Sequence, residues 1–388
     1  MSDHNEKALA AHAVWQGKLR TQVVSPVSTA EELSLAYTPG VAAPCIVIAN
    51  DPQAVYTYTG KGHTVAVVTD GSAVLGLGNI GPLASLPVME GKCALFKAFA
   101  GIDAVPIALD TQDPQALITA IKALAPAFGG INLEDISAPR CVEIERRLVE
   151  ALDIPVFHDD QHGTAIVVSA ALRNALRVVR KELSNVRIVI SGAGAAGSAI
   201  VRMLHGLGVT QMTVFDKAGQ LHPQRDSLDF LQTELLSLIP SGPRYETLAE
   251  ALVGADVFIG VSAPRLVSEA MVASMAQHPI VFALANPEPE IAYDAAIRAG
   301  AAIAATGRSD RPNQVNNVLA FPGLFKGALS VQAKRITPTM MHAAVDALAD
   351  LVGDELSSTM ILPKALDPRV ALAVSQAVAH AAGEVSSK

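Results

Sequence analysis

Six acidic residues stand where short apolar runs end: Asp70 after VAVVT, Asp110 after AVPIAL, Glu134 and Asp135 after GINL, and Asp159 and Asp160 just beyond IPVF. Runs of that length and composition predict strands at Val65–Thr69, Ala104–Leu109, Gly130–Leu133 and Ile154–Phe157. If these strands are parallel, their carboxyl ends share one edge of the sheet, and open α/β sheets take ligands in the crevice there. Acids gathered at that edge make a site for a hard cation, and oxygen ligands suit Mg2+ or Mn2+. A lone acid at a strand end more often caps the following helix. Lys92 lies in LASLPVMEGKCALF, a nearly charge-free stretch. Burial and a neighbouring cation lower an amine's pKa towards about 7–8, a value useful to a general base.

The elements that position these groups follow from length and composition. A chain of 388 residues exceeds what one core usually supports, so two domains are expected. Half the residues are apolar and only 4% aromatic, which suits helices packed closely on parallel sheet. Mean hydropathy is +0.34, yet Pro, Asp, Gly or Lys interrupts every apolar run before it reaches the ~18 residues of a spanning helix. The N-terminus does not read as a signal peptide, and a net charge of −8 offers no footprint for nucleic acid or anionic lipid. Cys45, Cys93 and Cys141 form no C-x-x-C pair and read as buried reduced thiols, so the chain is expected to be cytoplasmic.

A helix is expected from about Gly163 to Lys181, then strands at Val186–Ser191, Gln211–Phe215, Val257–Val261, Ile280–Ala285 and Ala301–Ala305. Pro338–Asp354 and Asp367–Ala382 read as closing helices. The pattern G-x-G-x-x-G occurs as GAGAAG, with Gly192, Gly194, Ala195, Ala196 and Gly197, directly after a strand and at the start of a helix. Glycines there let the backbone turn tightly and approach a pyrophosphate held at the helix N-terminus. Asp216 closes the next strand about twenty residues on, where a ribose hydroxyl acceptor belongs. Asp216 leans towards NAD, because a carboxylate repels a 2′-phosphate, while Lys217 can serve that phosphate and so admits NADP. The second copy, GLGNIG at Gly76–Gly81, has no acid at the matching distance and reads as a loop on the site rim.

AYTPGVA (36–42), GLGNIGPLASLPVMEGKCALFKAFAGID (76–103), INLEDISAP, VFHDDQHGTA, ALANPEPE (283–290) and QVNNVLAFPGLFKGAL (314–329) stand together in one order. In that combination the chain resembles the malic enzyme family in its short bacterial form. The resemblance implies an α/β fold with an N-terminal catalytic and metal-binding domain, residues 1–162, and a C-terminal Rossmann-type NAD(P)-binding domain, residues 163–388. It implies oxidative decarboxylation of L-malate to pyruvate, Glu134, Asp135 and Asp160 as metal ligands, Lys92 as base oriented by Asp159, and Tyr37 as the acid. Asn286 and Asn317 become candidates for the substrate carboxylate and the nicotinamide region, with turn formation as the plain alternative for both. Thr164 is a candidate cofactor contact or a helix-packing residue. Longer members carry an arginine soon after the strand equivalent to Val65–Thr69, whereas here no Arg or Lys stands between Asp70 and Lys92. Substrate binding then rests on Ser72, glycine-loop amides, the asparagines and the metal, and weaker malate binding is expected. A homodimer acting on a small-molecule substrate, without an appended acyltransferase-like region, is the family expectation. An oxaloacetate decarboxylase or malolactic lyase on the same scaffold is the rival, with a non-catalytic metabolite sensor behind it.

Overall fold

Short, mostly apolar runs form parallel strands, and the chain has two sets of them. The computed structural model describes residues 3–239 and 242–386. The first sheet holds β1 (Thr64–Thr69), β2 (Asp103–Ala108), β3 (Gly130–Leu133) and β4 (Val156–His158). Its order is β2-β1-β3-β4, and every neighbouring pair is parallel. The second sheet holds β5 (Arg187–Ser191), β6 (Gln211–Asp216), β7 (Gly219–Gln220), β8 (Val257–Gly260), β9 (Ile280–Ala283) and β10 (Ile303–Thr306). Its order is β10-β9-β8-β5-β6-β7, with β7 antiparallel to β6. The chain turns one way from β5 to β6 and the other way to β8, so GAGAAG follows the strand at the switch point.

The fold class is the expected α/β, with several ends moved. β4 begins at Val156 because Pro155 has no N–H for the ladder, and it runs to His158, directly against Asp159. The long helix spans Thr164–Val179 and stops where Arg180 adopts a left-handed φ of 58°. The closing helices span Pro338–Asp350 and Arg369–Ser386. Asp367 lies outside the second of them because its carboxylate accepts the Arg369 N–H at 2.9 Å, as a residue before a helix does.

Helix Thr164–Val179 shares one core with both sheets and is buried along most of its length. One core joins Val65, Val67 and Phe157 of the first sheet to Ile188, Val214 and Ile259 of the second. Edge-on contacts of Phe96 with Phe321 and of Phe157 with Phe325, centroids 4.7 and 5.9 Å apart, tie the C-terminal part of the chain to the first sheet. Helices Pro114–Leu124 and Arg140–Ala151 cover the first sheet's other face. Cys93 and Cys141 are buried as expected, but Cys45 is exposed. Its helix, Ala42–Asn50, is apolar on every side yet buries no residue. No helix among the described residues is long and apolar enough to cross a membrane.

Candidate active site

β3 and β4 are neighbours, so the acids that follow them converge. One carboxylate oxygen from each of Glu134, Asp135 and Asp160 lies within 4.8 Å of the others. Asp135 holds a left-handed φ of 54°, which Asp tolerates better than most residues. Its N–H donates to Asp160 Oδ2 at 2.7 Å, and Asn132 Nδ2 donates to Glu134 Oε2 at 2.8 Å. Asp159 and Asp160 ride on a wide π-type turn, Asp159–Gly163, between β4 and the long helix. Gly163 is required there, because a Cβ would stand 1.8 Å from Asp159 Oδ1. Among the described residues, the buried Asp135 Oδ2 and Asp159 Oδ1 have no hydrogen-bond donor. Orphaned acceptors in a buried acidic cluster fit a bound cation.

Burial and the neighbouring Asp160 and Glu134 charges push the Asp135 carboxyl up to about 9. Burial likewise raises Asp159 to about 7 and Asp160 to about 6, and it raises Glu134. Lys92 lies against this cluster from helix Gly81–Leu95. Its Nζ is 2.6 Å from Asp159 Oδ2, 2.8 Å from Glu134 Oε1 and 4.3 Å from the Phe321 ring centroid. Burial acts to lower its pKa, but Asp159, Glu134 and Asp160 outweigh it and hold the amine above the ordinary lysine value. Burial by itself therefore does not lower this amine's pKa while the carboxylates carry their charge. Lys97, by contrast, is exposed and pairs with Asp103 at 2.7 Å.

Six candidate acids do not make one cation site. Asp110 follows the edge strand β2 and is exposed. Asp70 is fully buried but already partnered: Arg140 Nη2 donates to it at 2.6 Å and the Ser72 hydroxyl at 2.5 Å. Ser72 Oγ also accepts the Ser137 N–H at 2.9 Å. The Ser72 hydroxyl proton thus already has an acceptor in Asp70.

A cleft of about 650 Å3 opens between the carboxyl edges of the two sheets. Ser72, Asp160, Thr164, Ala196, Asn286 and Asn317 line it, and Gly76 and Gly78 of the second glycine loop form part of its wall. Tyr37 is not among the lining residues; it follows helix Ala30–Ala36 and is 67% exposed. In the first glycine motif, Gly192 has φ +117° and a Cβ on Gly197 would stand 1.7 Å from Gly192 O. Gly194 precedes helix Ala195–Gly206, whose first turn reaches the cleft through Ala196. Free N–H groups at such a terminus receive anions.

This geometry has close counterparts. The family described as "Malic enzyme, N-terminal domain" matches residues 16–149, and "Malic enzyme, NAD binding domain" matches residues 161–383. The chain belongs to the malic enzyme family. It is 53% identical to the bifunctional malic/malolactic enzyme of Bacillus subtilis, over 98% of this chain and 93% of that one. It is 52% identical to the NAD-dependent malic enzyme of Geobacillus stearothermophilus, over 94% and 77%. The crystal structure of the NAD-dependent malic enzyme of Thermotoga maritima superposes with a TM-score of 0.93 at 49% identity, covering 96% of this chain and 98% of that one.

Several residues around the cleft and the acid cluster carried no local signal. Arg140 and Phe321 reach Asp70 and Lys92 from distant segments. Arg225 donates from both Nη1 and Nη2 to Asp216, at 2.9 and 3.0 Å, and Gln232 Nε2 donates to the same carboxylate at 2.9 Å. Neutralised in this way, Asp216 repels a 2′-phosphate less than its sequence position implies. Glu290, buried at the end of ALANPEPE, accepts N–H bonds from Ser262 and Ala285 at 2.9 and 3.1 Å and so ties together the loops after β8 and β9.

Proposed function

We propose that the protein oxidatively decarboxylates L-malate to pyruvate and carbon dioxide, with NAD or NADP as hydride acceptor and Mg2+ or Mn2+ as the cation. Residues 1–162 supply the cation and proton-transfer groups, and residues 163–388 the dinucleotide site. One observation carries this reading: Lys92 is wedged between Asp159 and Glu134, beside a three-acid cluster whose Asp160 lines the same cleft as the glycine-motif helix.

Glu134, Asp135 and Asp160 would hold the cation and the GAGAAG turn the dinucleotide; when bound, these supply charge stabilisation for an enolate oxygen and an acceptor for hydride. Lys92 must lose its own proton before it can take one. Cancelling the carboxylate charges around it removes what holds that proton. Lys92 Nζ then receives the proton of the malate 2-hydroxyl, while Asp159 keeps the amine aimed. Asn286, Asn317 and Thr164 orient the substrate carboxylate and the nicotinamide from the cleft wall, with Ser72 shaping that wall. Tyr37 protonates the carbon left by carbon dioxide. It stands in an apolar stretch that exposes Leu33, Leu35 and Ile46 by 51%, 72% and 61%. A second copy of the chain would cover that surface, which supports a homodimer with Tyr37 at or near the interface.

The B. subtilis relative's name favours a second reading, in which malate ends as lactate without net redox. Supplying L-malate with NAD or NADP, with and without Mn2+, while measuring reduced cofactor, pyruvate and lactate, separates the two. Metal-dependent reduction matched by pyruvate supports the malic enzyme reading. Lactate without accumulated reduced cofactor would move the protein to the malolactic one, and neither product would overturn both.

A further inference from the structure

Glu145, on helix Arg140–Ala151, lies outside the acid cluster and has no task in the chemistry above. It is only 6% exposed, and a carboxylate buried that deeply needs partners. Its partners all come from one segment. Oε1 accepts the His158 backbone N–H at 2.7 Å. Oε2 accepts Gln161 Nε2 at 3.1 Å and His162 Nε2 at 2.9 Å. These three donors bracket Asp159 and Asp160 on both sides.

We propose that Glu145 is a positioning residue for the cation site, fixing the Asp159–Gly163 turn so that Asp160 meets Glu134 and Asp135 while Asp159 meets Lys92. A π-type turn carries one residue more than the regular helical spacing, so its own backbone ladder fixes it less well than a helix fixes its residues. A carboxylate spanning both ends of the turn supplies that restraint from outside. The restraint is anchored further back. Gln161 Oε1 accepts Arg202 Nη2 at 3.4 Å, and Glu234 pairs with Arg202 at 3.3 Å and with Arg146 at 2.7 Å. Arg202 belongs to the glycine-motif helix, and His162 packs its ring 5.5 Å from that of Phe157 on β4. The turn is thus clamped between the two halves of the site.

This inference rests on the reading of Glu134, Asp135 and Asp160 as the cation site. Partners one step behind metal ligands typically change metal affinity by about 10- to 100-fold when removed. Glu145→Gln keeps the volume and an oxygen for the His158 N–H, but it replaces the shared acceptor of Gln161 and His162 with a donor. Calorimetry of Mn2+ alone on the purified full chain should show its dissociation constant raised by roughly that factor. The NADH dissociation constant should stay within about twofold, and kcat should recover towards the wild-type value as Mn2+ is saturated. A merely structural role would instead weaken both ligands together with the thermal midpoint. His162→Phe, which keeps the ring against Phe157 and removes one donor, should show a smaller rise in the Mn2+ constant. It carries the test if Glu145→Gln does not fold. Wild-type Mn2+ affinity in the folded variants would overturn the proposal. If Asp160→Asn binds Mn2+ as wild type does, the reading of the cation site itself falls, and this inference with it.

Discussion

At the carboxyl edge of the first sheet, β3 and β4 run into Glu134, Asp135, Asp159 and Asp160, whereas β5, β8 and β10 of the second sheet run into Gly192, Val261 and Gly307. The first edge concentrates buried negative charge and leaves acceptors unpaired; the second offers small residues and backbone N–H groups. The difference follows from ligand charge. A cation is held by acids that raise one another's pKa until it arrives, while a pyrophosphate needs close backbone approach and no acid beside it. One cleft draws its wall from both edges, with Thr164 at the start of the long helix between them in sequence.

The largest expected effect tests whether the edges act separately. Lys92→Ala should lower malate-dependent NAD reduction by about 10²–10⁴-fold, the usual weight of a general base, while NADH fluorescence titration shows unchanged binding. Loss of nucleotide binding in the same variant would show that the edges are not separable. The converse change is Gly197→Val, whose added carbon meets Gly192 O at 1.7 Å. Relief of such a clash typically costs about 1–3 kcal/mol, so nucleotide affinity should fall by roughly 5- to 150-fold with the Mn2+ constant unchanged.

A smaller effect concerns pH. Asp135, Asp159 and Asp160 have folded-state values of about 9, 7 and 6, all above the ordinary carboxylate value. The folded state therefore binds more protons than the unfolded one across that range, and stability falls as pH rises. With chelator present, the thermal midpoint should drop between about pH 6 and pH 8.5. Saturating Mg2+ should flatten or reverse that slope, because the cation binds the ionised carboxylates. A flat chelated profile would mean that the acids ionise independently of folding. The smallest effect is expected on the nucleotide side. Arg225→Ala exposes the charge of Asp216, so the NAD-to-NADP preference in kcat/KM should shift towards NAD by up to about fivefold, as for a partly exposed pair.

Much of this was legible along the chain. Apolar runs of strand length, each ending in Asp or Glu, placed the parallel sheet and its acidic edge without knowledge of the strand order. GAGAAG between a strand and a helix located the switch point of the second sheet, where Gly192 and Gly197 stand too close to neighbouring backbone for a Cβ. Periodicity blurred at the ends. Asp367 looks helical by pattern but caps, and Arg180 looks helical but turns left-handed, since both outcomes depend on a single residue's backbone bonds.

Residue types and their order along the chain determined which groups were available: oxygen ligands for a hard cation, a lysine in an apolar stretch, and a glycine turn for a phosphate. Only the tertiary structure decided which of them meet. Strand order brought Glu134, Asp135 and Asp160 together and left Asp110 on an exposed edge. It set Arg140 and the Ser72 hydroxyl on Asp70, which gave that acid partners of its own outside the three-acid cluster. It set Lys92 between two carboxylates, raising a pKa that its apolar neighbours alone would lower. Ion pairs and hydrogen bonds between segments tens of residues apart depend on distances of a few ångströms. No local spacing encodes these, because the chain can bring almost any two segments together once its sheets are stacked.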